Sequence, residues 1–343
     1  MMARRARTGF FYLIAVPAVI FLFFLLIFYG PVRIPFSEIL KILWGQTVEV
    51  GYWSTIVLDS RLPMALASLC CGASLSVAGL VMQTTFMNPL AGPSILGVSS
   101  GASLGVAVCM LAGLSITSQF LAGMVSVLGA LLGAFAVVFI ILLFSTILQN
   151  GISLLIVGIM ISYLCSSFIS LLNFFSPAEG IRSYLIWGLG SFSGLQLTQS
   201  LWLTGLSLLA IVASMILVKP LNALLLGEKY AASLGYSLIR IRMLIFIITG
   251  ILTAIPTAYC GPIGFIGLIV PHFARLWLRT SNHLVLMPAT SVLGALTALV
   301  CAFLSIVPAD SYGVLPINVI TPIIGIPVII YLLLYRNKML YFR

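Results

Sequence analysis

A run of 117 consecutive residues, 62–178, contains no Asp, Glu, Lys or Arg, and this run most constrains the fold. One membrane-spanning helix needs about 20 apolar residues, so a run of this length has to cross a bilayer several times. Hydrophobic residue types make up 62% of the 343 residues and charged types only 6%, whereas a soluble domain is usually about 25% charged. The composition therefore predicts an all-α polytopic membrane protein.

Breaks in the apolar runs divide the chain into ten predicted spans. Within the uncharged run, helix-interrupting residues cluster at 88–93, 113–118 and 149–153. The first apolar run is followed by Gly30-Pro31 and not by a signal-peptide cleavage site, so we interpret it as a span. The predicted spans are residues 10–29, 60–81, 95–112, 120–145, 153–173, one span between 182 and 219, 240–259, 264–278, 285–306 and 316–335.

The distribution of cations predicts that both chain ends are cytoplasmic. With that orientation, twelve Lys and Arg residues face the cytoplasm and four face outward, as the positive-inside rule requires. The twelve are Arg4, Arg5, Arg7, Lys219, Lys229, Arg240, Arg242, Arg275, Arg279, Arg336, Lys338 and Arg343. The four are Arg33, Lys41, Arg61 and Arg182. The net charge of +10 is thus attributed to membrane orientation, and a nucleic-acid partner is not expected.

Two local patterns add detail to this architecture. Residues 36–45 carry apolar side chains at helical spacing but are too few to span, which predicts a helix along the outer membrane interface. Gly97, Gly101 and Gly105 form a tandem GxxxG, and Gly129 and Gly133 repeat the spacing. Such glycines let two helix backbones approach closely, so they predict a tightly packed bundle.

The chain lacks the residues that would energise transport or catalyse a reaction. No carboxylate lies near the middle of a predicted span, which disfavours an ion-coupled carrier. The P-loop motif GxxxxGK[ST] is absent, and the six cysteines and two histidines show no metal-binding spacing. We therefore expect no enzyme activity, no metal and no bound cofactor. A passive channel, a secondary transporter or a pore driven by another protein remain open.

Four ordered blocks resemble the FecCD-type permease subunits of bacterial ABC importers for iron–siderophores, haem and cobalamin. They are Arg61-Leu62-Pro63 with residues 71–105, LGEKYAASLGYS at 226–237, GPIGFIGLIVPHFARL at 261–276, and LPINVITPIIGIPVIIYLLL at 315–334. The resemblance implies a homodimer of ten-span subunits, each with two inverted five-helix halves. It further implies two cytoplasmic ATPase subunits, which use ATP and Mg, and an extracytoplasmic substrate-binding protein.

The resemblance also assigns residues to roles. In the cytoplasmic loop at 220–237, the ATPase would contact Gly227, Glu228, Ala231, Ser233, Leu234 and Gly235. A short helix bounded by glycines suits docking into a partner's groove, while a plain connecting loop is the alternative. Asn88 and Leu90 match residues that narrow the pathway at its cytoplasmic side, with helix capping as the alternative for this break.

Arg61 matches an arginine that receives an acidic residue of the binding protein in the cobalamin importer. The usual second arginine is replaced by Met64, and the late outer arginine is also missing, near Val307 and Asp310. An interfacial anchor is therefore the alternative role for Arg61. The sequence predicts a permease in the bacterial inner membrane, surrounded by lipid, and it does not select among siderophore, haem and cobalamin.

Overall fold

A computed structural model describes residues 2–48, 50–111, 119–148, 151–307 and 313–334. The chain is α-helical, with no β-strand in these ranges. A π-helical segment, Val57–Arg61, joins α3 to α4 without a break. The helices are α1 Met2–Phe28, α2 Phe36–Leu43, α3 Gly51–Ile56, α4 Leu62–Thr85, α5 Val98–Leu111, α6 Gln119–Ile147, α7 Gly151–Phe175, α8 Ala178–Gly188, α9 Leu197–Ser214, α10 Val218–Leu224, α11 Glu228–Ser233, α12 Leu238–Cys260, α13 Ile266–Leu278, α14 His283–Ile306 and α15 Ile317–Leu334.

Seven helical runs in the described ranges are long and apolar enough to cross a membrane, and three shorter apolar helices accompany them. The shorter ones are α5, α13 and the first part of α15. The seven long runs lie at residues 6–28, 51–85, 123–147, 153–175, 197–224, 238–260 and 283–306. Together they match the positions of the predicted spans, while the count of ten crossings stays a prediction.

The predicted span between 182 and 219 differs from the structure at its beginning. Two helices, α8 and α9, occupy this region, and residues 189–196 separate them. The break contains Gly190 and Gly194, whose φ angles are +70° and +89°. Because L-residues with side chains rarely adopt these angles, two glycines in this conformation end the helix where hydropathy alone would continue it.

Helix α4 forms the centre of the bundle. In the most apolar part of its run 89% of the residues are buried, against 22% for α1, so α4 is surrounded by protein and α1 lies at the periphery of the bundle. Small residues permit this central position. A Cβ on Gly79 would lie 1.6 Å from the Gly267 carbonyl oxygen of α13, and one on Gly72 would lie 2.2 Å from that of Gly294 in α14. The α4 backbone therefore touches two neighbouring backbones directly.

The glycine repeats pack α5 against α6, as the spacing predicts. A Cβ on Gly105 would lie 1.9 Å from the Gly129 oxygen, and one on Gly133 would lie 2.1 Å from the Gly101 oxygen. Gly97 has another role, because its φ of +77° makes it a left-handed turn immediately before α5. Only two of the three glycines in the tandem repeat thus serve the interface between α5 and α6.

Contacts between helices show which elements lie together at one end of the bundle, which we call the coupling end. The end of α4 meets the start of α14, where Thr84 Oγ1 lies 2.8 Å from His283 Nε2. Early in α1, Phe11 packs on Trp277 of α13 with ring centroids 5.6 Å apart. Helices α10 and α11 connect to the same end through Asn222 and His283. The start of α1 and the predicted cytoplasmic loop therefore share one end, as the charge distribution requires.

Candidate functional site

The predicted ATPase-contacting residues form a short helix bounded by two glycines in left-handed conformation. Gly227 has a φ of +105° directly before α11, and Gly235 has a φ of +87° shortly after it. The Tyr236 N–H donates to the Ala231 carbonyl at 3.3 Å across the Gly235 turn. Such geometry satisfies the last carbonyls of a helix and ends it sharply. We call residues 218–237 the coupling segment.

Within the coupling segment, helix α11 buries one apolar residue and exposes the others. Ala231 is 0% exposed, whereas Leu234 is 55% exposed. Glu228 and Ser233 are also exposed on α11. Leu234 exposes apolar area on a loop outside the apolar helices. A protein partner that covers this side chain would remove that area from water, so the surface is suited to a partner.

Glu228 has a charged partner that the sequence did not reveal. Its Oε1 accepts a hydrogen bond from Arg242 Nη2 at 2.6 Å, which links α11 to the start of α12. The carboxylate also lies in the first turn of α11, where the helix dipole favours negative charge. The two residues are 14 positions apart, so no helical spacing signals the pair. Arg242 therefore helps to hold α11 in place.

Asn88 and Leu90 lie in an irregular turn that follows α4. We call residues 86–91 the gate turn. Asn88 Oδ1 accepts from the Leu90 N–H at 3.0 Å, and the Asn88 N–H donates to the Gln83 carbonyl at 3.1 Å. Met87 has a φ of +47°, an uncommon angle for a residue with a side chain. The asparagine thus closes the turn, and Leu90 stays exposed. A gate role for both residues remains a prediction.

A buried histidine holds the gate turn against α13. The His272 Nε2–H donates to the Pro89 carbonyl oxygen at 2.8 Å. Pro89 lacks an N–H, so its carbonyl is its one strong backbone group. The sequence did not indicate this attachment of His272 to the gate turn.

A cluster of polar side chains, all buried except the partly exposed Asn222, connects the coupling segment to the end of α4 next to the gate turn. Its members, which we call the end cluster, are Gln83, Thr84, Asn222, Arg275 and His283. Arg275 Nη1 donates to Gln83 Oε1 at 2.6 Å and Nη2 donates to Thr84 at 3.3 Å. The bonded pairs are separated by up to 199 residues in sequence, and only the positive-inside count had singled out Arg275.

Arg61 lies at the opposite end of the bundle, buried against the end of α1. It is 6% exposed. Its Nη1 donates to the carbonyls of Ile27 and Phe28 at 3.0 and 3.2 Å, and Nη2 donates to the carbonyl of Val32. A Cβ on Gly30 would lie 3.0 Å from the guanidinium, so the glycine leaves room for it. These contacts favour the anchor over the docking role, which stays untested.

Helices α5, α7 and α8 line an open hollow that carries hydroxyl groups. Its volume is about 310 Å³. Serine hydroxyls on α5 and α7 supply most of the polar lining, and a tyrosine on α8 closes one side. The lining includes Ser99, Ser100, Ser103, Ser166, Ser170 and Tyr184. A polar hollow between apolar helices is suited to water or to a polar solute.

No group of three or more His, Cys, Asp and Glu side chains that could hold a metal ion occurs among the described residues. All six cysteines are free thiols. Cys71 and Cys260 approach one another in the bundle interior, with their sulfur atoms 3.4 Å apart. Among the described residues, the polar groups of the site are therefore hydrogen-bonding groups and not a metal-binding cluster.

Comparison with known proteins gives consistent relatives. The profile described as the FecCD transport family matches residues 18–335. The vitamin B12 import system permease protein BtuC of Klebsiella pneumoniae is 38% identical over 295 residues, covering 84% of this chain and 87% of the relative. The protein of the same name from Escherichia coli O17:K52:H18 is 36% identical, covering 85% and 89%.

One solved structure matches nearly the whole fold. It is described as an inward-facing conformation of a putative metal-chelate type ABC transporter. The TM-score is 0.81 at 28% sequence identity, and the match covers 94% of this chain and 97% of that chain. The coupling segment, the gate turn and the end cluster all lie within residues 18–335, which the family profile matches.

Proposed function

This chain belongs to the FecCD transport family, and from this premise we propose that it carries a cobalamin-like metal chelate across the membrane. It is a permease subunit of an ABC importer and a multi-pass protein of the inner membrane. It is a transport subunit and not an enzyme; ATP hydrolysis belongs to a separate ATPase subunit, and a substrate-binding partner completes the importer. A secondary transporter or passive channel, the alternative from sequence, is thereby set aside.

The choice of substrate rests on the names of the relatives. Proteins 36–38% identical over most of the chain import vitamin B12, and the structural neighbour handles a metal chelate. Cobalamin is itself a metal chelate, so both point to one chemical class. Iron–siderophore complexes and haem belong to that class as well, and they are the competing substrates in the test below.

A homodimer supplies the pathway. Helix α7 exposes large aromatic side chains, among them Phe168, Phe174 and Phe175, over a surface that one copy leaves uncovered. The hydroxyl-lined hollow adjoins the same helix at Ser166 and Ser170. A second copy placed against α7 would cover the apolar surface and enclose the hydroxyls in a shared conduit. The ten spans and the two inverted five-helix halves complete this proposed architecture.

The lengths and surroundings of the short helices α5 and α13 favour the proposal of two inverted halves. They have 14 and 13 residues, about 20 Å of helix each, which is less than a 30 Å bilayer core. Both follow an irregular segment with a residue of positive φ, Gly97 before α5 and Phe265 before α13. Irregular backbone at membrane depth is tolerated where protein buries it, so two matching sites suit a duplicated architecture.

The coupling segment is the proposed contact with the ATPase. Its exposed residues, Glu228, Ser233 and Leu234, would enter a groove of the ATPase, while Ala231 and the glycines fix the geometry of α11. The end of the bundle that carries α11 then faces the cytoplasm, together with both chain ends. Asn88 and Leu90 in the gate turn would close the pathway at this side. ATP and Mg would bind to the ATPase, and no cofactor to this chain.

The extracytoplasmic binding protein would dock at the opposite end, where α2 lies. We propose that α2, which falls within the predicted interfacial segment 36–45, rests along the outer membrane surface. Its Lys41 and Glu38 form an ion pair of 2.8 Å, which keeps charge at that surface. Arg61 is the one docking residue that the family motif nominates at this end, while its burial against α1 favours the anchoring role.

Uptake by the reconstituted importer tests the function. The chain is combined in liposomes with its ATPase and its binding protein, and uptake of labelled cobalamin, a ferric siderophore and haem is compared with and without ATP. ATP-dependent uptake of cobalamin above the other two is the expected result. Preference for a siderophore or haem would contradict the substrate, and nucleotide-independent uptake by the chain alone would contradict the proposed mechanism.

A further inference from the structure

A continuous row of hydrogen-bonded side chains connects the coupling segment to α4 and α13. It begins on α10, where Asn222 Oδ1 lies 2.9 Å from the backbone N of His283 and 2.8 Å from its Nδ1. On the other side of the ring, His283 Nε2 lies 2.8 Å from Thr84 Oγ1. Arg275 then donates to Thr84, at 3.3 Å. Four elements, α10, α14, α4 and α13, are thus joined by side chains.

The row continues to the gate turn by two routes. His272 lies one turn before Arg275 on α13 and donates to the Pro89 carbonyl at 2.8 Å. Gln83, which accepts from Arg275 at 2.6 Å, precedes Thr84 in the last turn of α4, and its carbonyl accepts from the Asn88 N–H at 3.1 Å. The gate turn is therefore attached to the same two helices that the row joins to the coupling segment.

The donors and acceptors in this row have a single consistent order. Asn222 Oδ1 can only accept, so a neutral His283 donates its Nδ1 hydrogen to that oxygen and keeps Nε2 as an acceptor. The Thr84 hydroxyl then donates to His283 Nε2, while its oxygen accepts from Arg275. Asn222 Nδ2 donates in turn to Asn282 Oδ1 at 3.0 Å. Each assignment determines the next one.

The row is buried, which makes a partial break costly. Thr84 is 0% exposed and His283 is 1% exposed. A buried polar group that loses its partner gains no water in exchange, so it loses more free energy than a surface group would. While these hydrogen bonds stay intact, the position of α4 is tied to that of α10.

We propose that Asn222, His283 and Thr84 are positioning residues that transmit displacement of the coupling segment to the gate turn. The inference rests on the proposed function, because it presumes that a partner ATPase moves α11. Movement of α10 would pull His283 and Thr84, and α4 and α13 would carry the gate turn with them. Transmission by backbone packing alone is the competing explanation, since α4 also touches α13 and α14 directly at its glycines.

Thr84→Val tests the row by removing the one hydroxyl that joins α4 to α14. Thr85→Val is the matched control, because among the described residues its hydroxyl bonds only to the Val81 carbonyl of its own helix, at 2.8 Å. Thr84→Ser retains the hydroxyl and serves as the conservative variant. Each is assembled with the ATPase and binding protein in liposomes, and both substrate uptake and ATP hydrolysis are measured.

We expect Thr84→Val to hydrolyse ATP while the substrate imported per ATP falls by about tenfold, the effect of one buried hydrogen bond. A reporter cysteine at Met87→Cys in the gate turn, compared with the chain lacking it, should lose its nucleotide-dependent labelling in this variant. Thr85→Val and Thr84→Ser should keep both properties. Equal uptake per ATP in Thr84→Val and Thr85→Val would overturn the proposal.

A double-mutant cycle with Asn222→Ala separates a connected row from independent local effects. If the row acts as one unit, the substrate imported per ATP falls no further in the double variant than in the more impaired single variant. A fall equal to the product of the two single effects would contradict the proposal. Size-exclusion elution of each complex checks that the variants fold. Wild-type complex without ATP-dependent uptake would refute the proposed function itself, a result distinct from normal coupling in Thr84→Val.

Discussion

Charged residues at the two ends of the bundle have different kinds of partner. At the coupling end, Glu228 and Arg242 pair with one another and fix α11 to α12. At the other end, Arg61 pairs with no carboxylate among its described contacts and caps three carbonyls around the end of α1. A cation at a helix C-terminus is favoured by the helix dipole, and it also satisfies carbonyls that the helix leaves unpaired.

Arg61→Ala should therefore destabilise the protein. Hydrogen bonds to a charged group are worth more than neutral ones, so the expected loss is about 2 kcal/mol in the free energy of unfolding. Thermal unfolding in detergent measures the loss, with the exposed Arg33→Ala as the control. Binding-protein affinity of the same variants is measured in parallel. Loss of that affinity without loss of stability would favour the docking role over the anchor.

Among the elements, α4 depends on glycine for its central position. Gly79→Ala places a Cβ 1.6 Å from a backbone oxygen of α13, and a backbone atom cannot move aside as a side-chain tip can. We expect a loss of about 3 kcal/mol, at the upper end of overpacking effects. Gly205→Ala in α9 is the control, since no atom lies within 4 Å of its added Cβ. Yield of folded protein and thermal unfolding compare the two.

Helix α11 has few contacts of its own and exposes most of its surface. Leu234→Glu should leave the fold intact and reduce co-purification of the ATPase by tenfold or more, because a charge replaces an apolar contact at the proposed interface. Leu40→Glu makes the same exchange on an exposed leucine of α2, at the other end. Retained ATPase in Leu234→Glu, or equal loss in Leu40→Glu, would contradict the assignment of the interface.

On the scale of the whole molecule, the orientation follows from which elements share an end. The beginning of α1, the end of α4 and the coupling segment lie together, and α2 lies at the opposite end. One experiment on the orientation of either end thus determines both.

Cysteine labelling in intact spheroplasts tests that orientation. Lys229→Cys on α11 should resist a membrane-impermeant maleimide until the cells are lysed, whereas Trp44→Cys next to α2, an 80% exposed position, should react at once. The unsubstituted chain with its free cysteines provides the background rate. The reverse pattern would show that the coupling segment lies outside, where no ATP is available to an ATPase.

Local composition and spacing were sufficient to predict the membrane class, the approximate spans, close packing at the glycine repeats and a short helix bounded by Gly227 and Gly235. These features depend on local composition and spacing: an uncharged run must enter lipid, a GxxxG permits close backbones, and glycines end a short helix. The family motifs directed attention to Asn88, Leu90 and Arg61 in the same way, through neighbours in sequence.

Which polar groups form hydrogen bonds with one another depends on the tertiary structure. Thr84 and His283 are 199 residues apart in the chain, and Gln83 and Arg275 are 192 apart. Their contact depends on the rotation and depth of each helix in the bundle, and hydropathy reports neither. The anchoring of Arg61 by α1 carbonyls and the attachment of His272 to the gate turn have the same origin. A buried donor takes the acceptor that packing brings within reach.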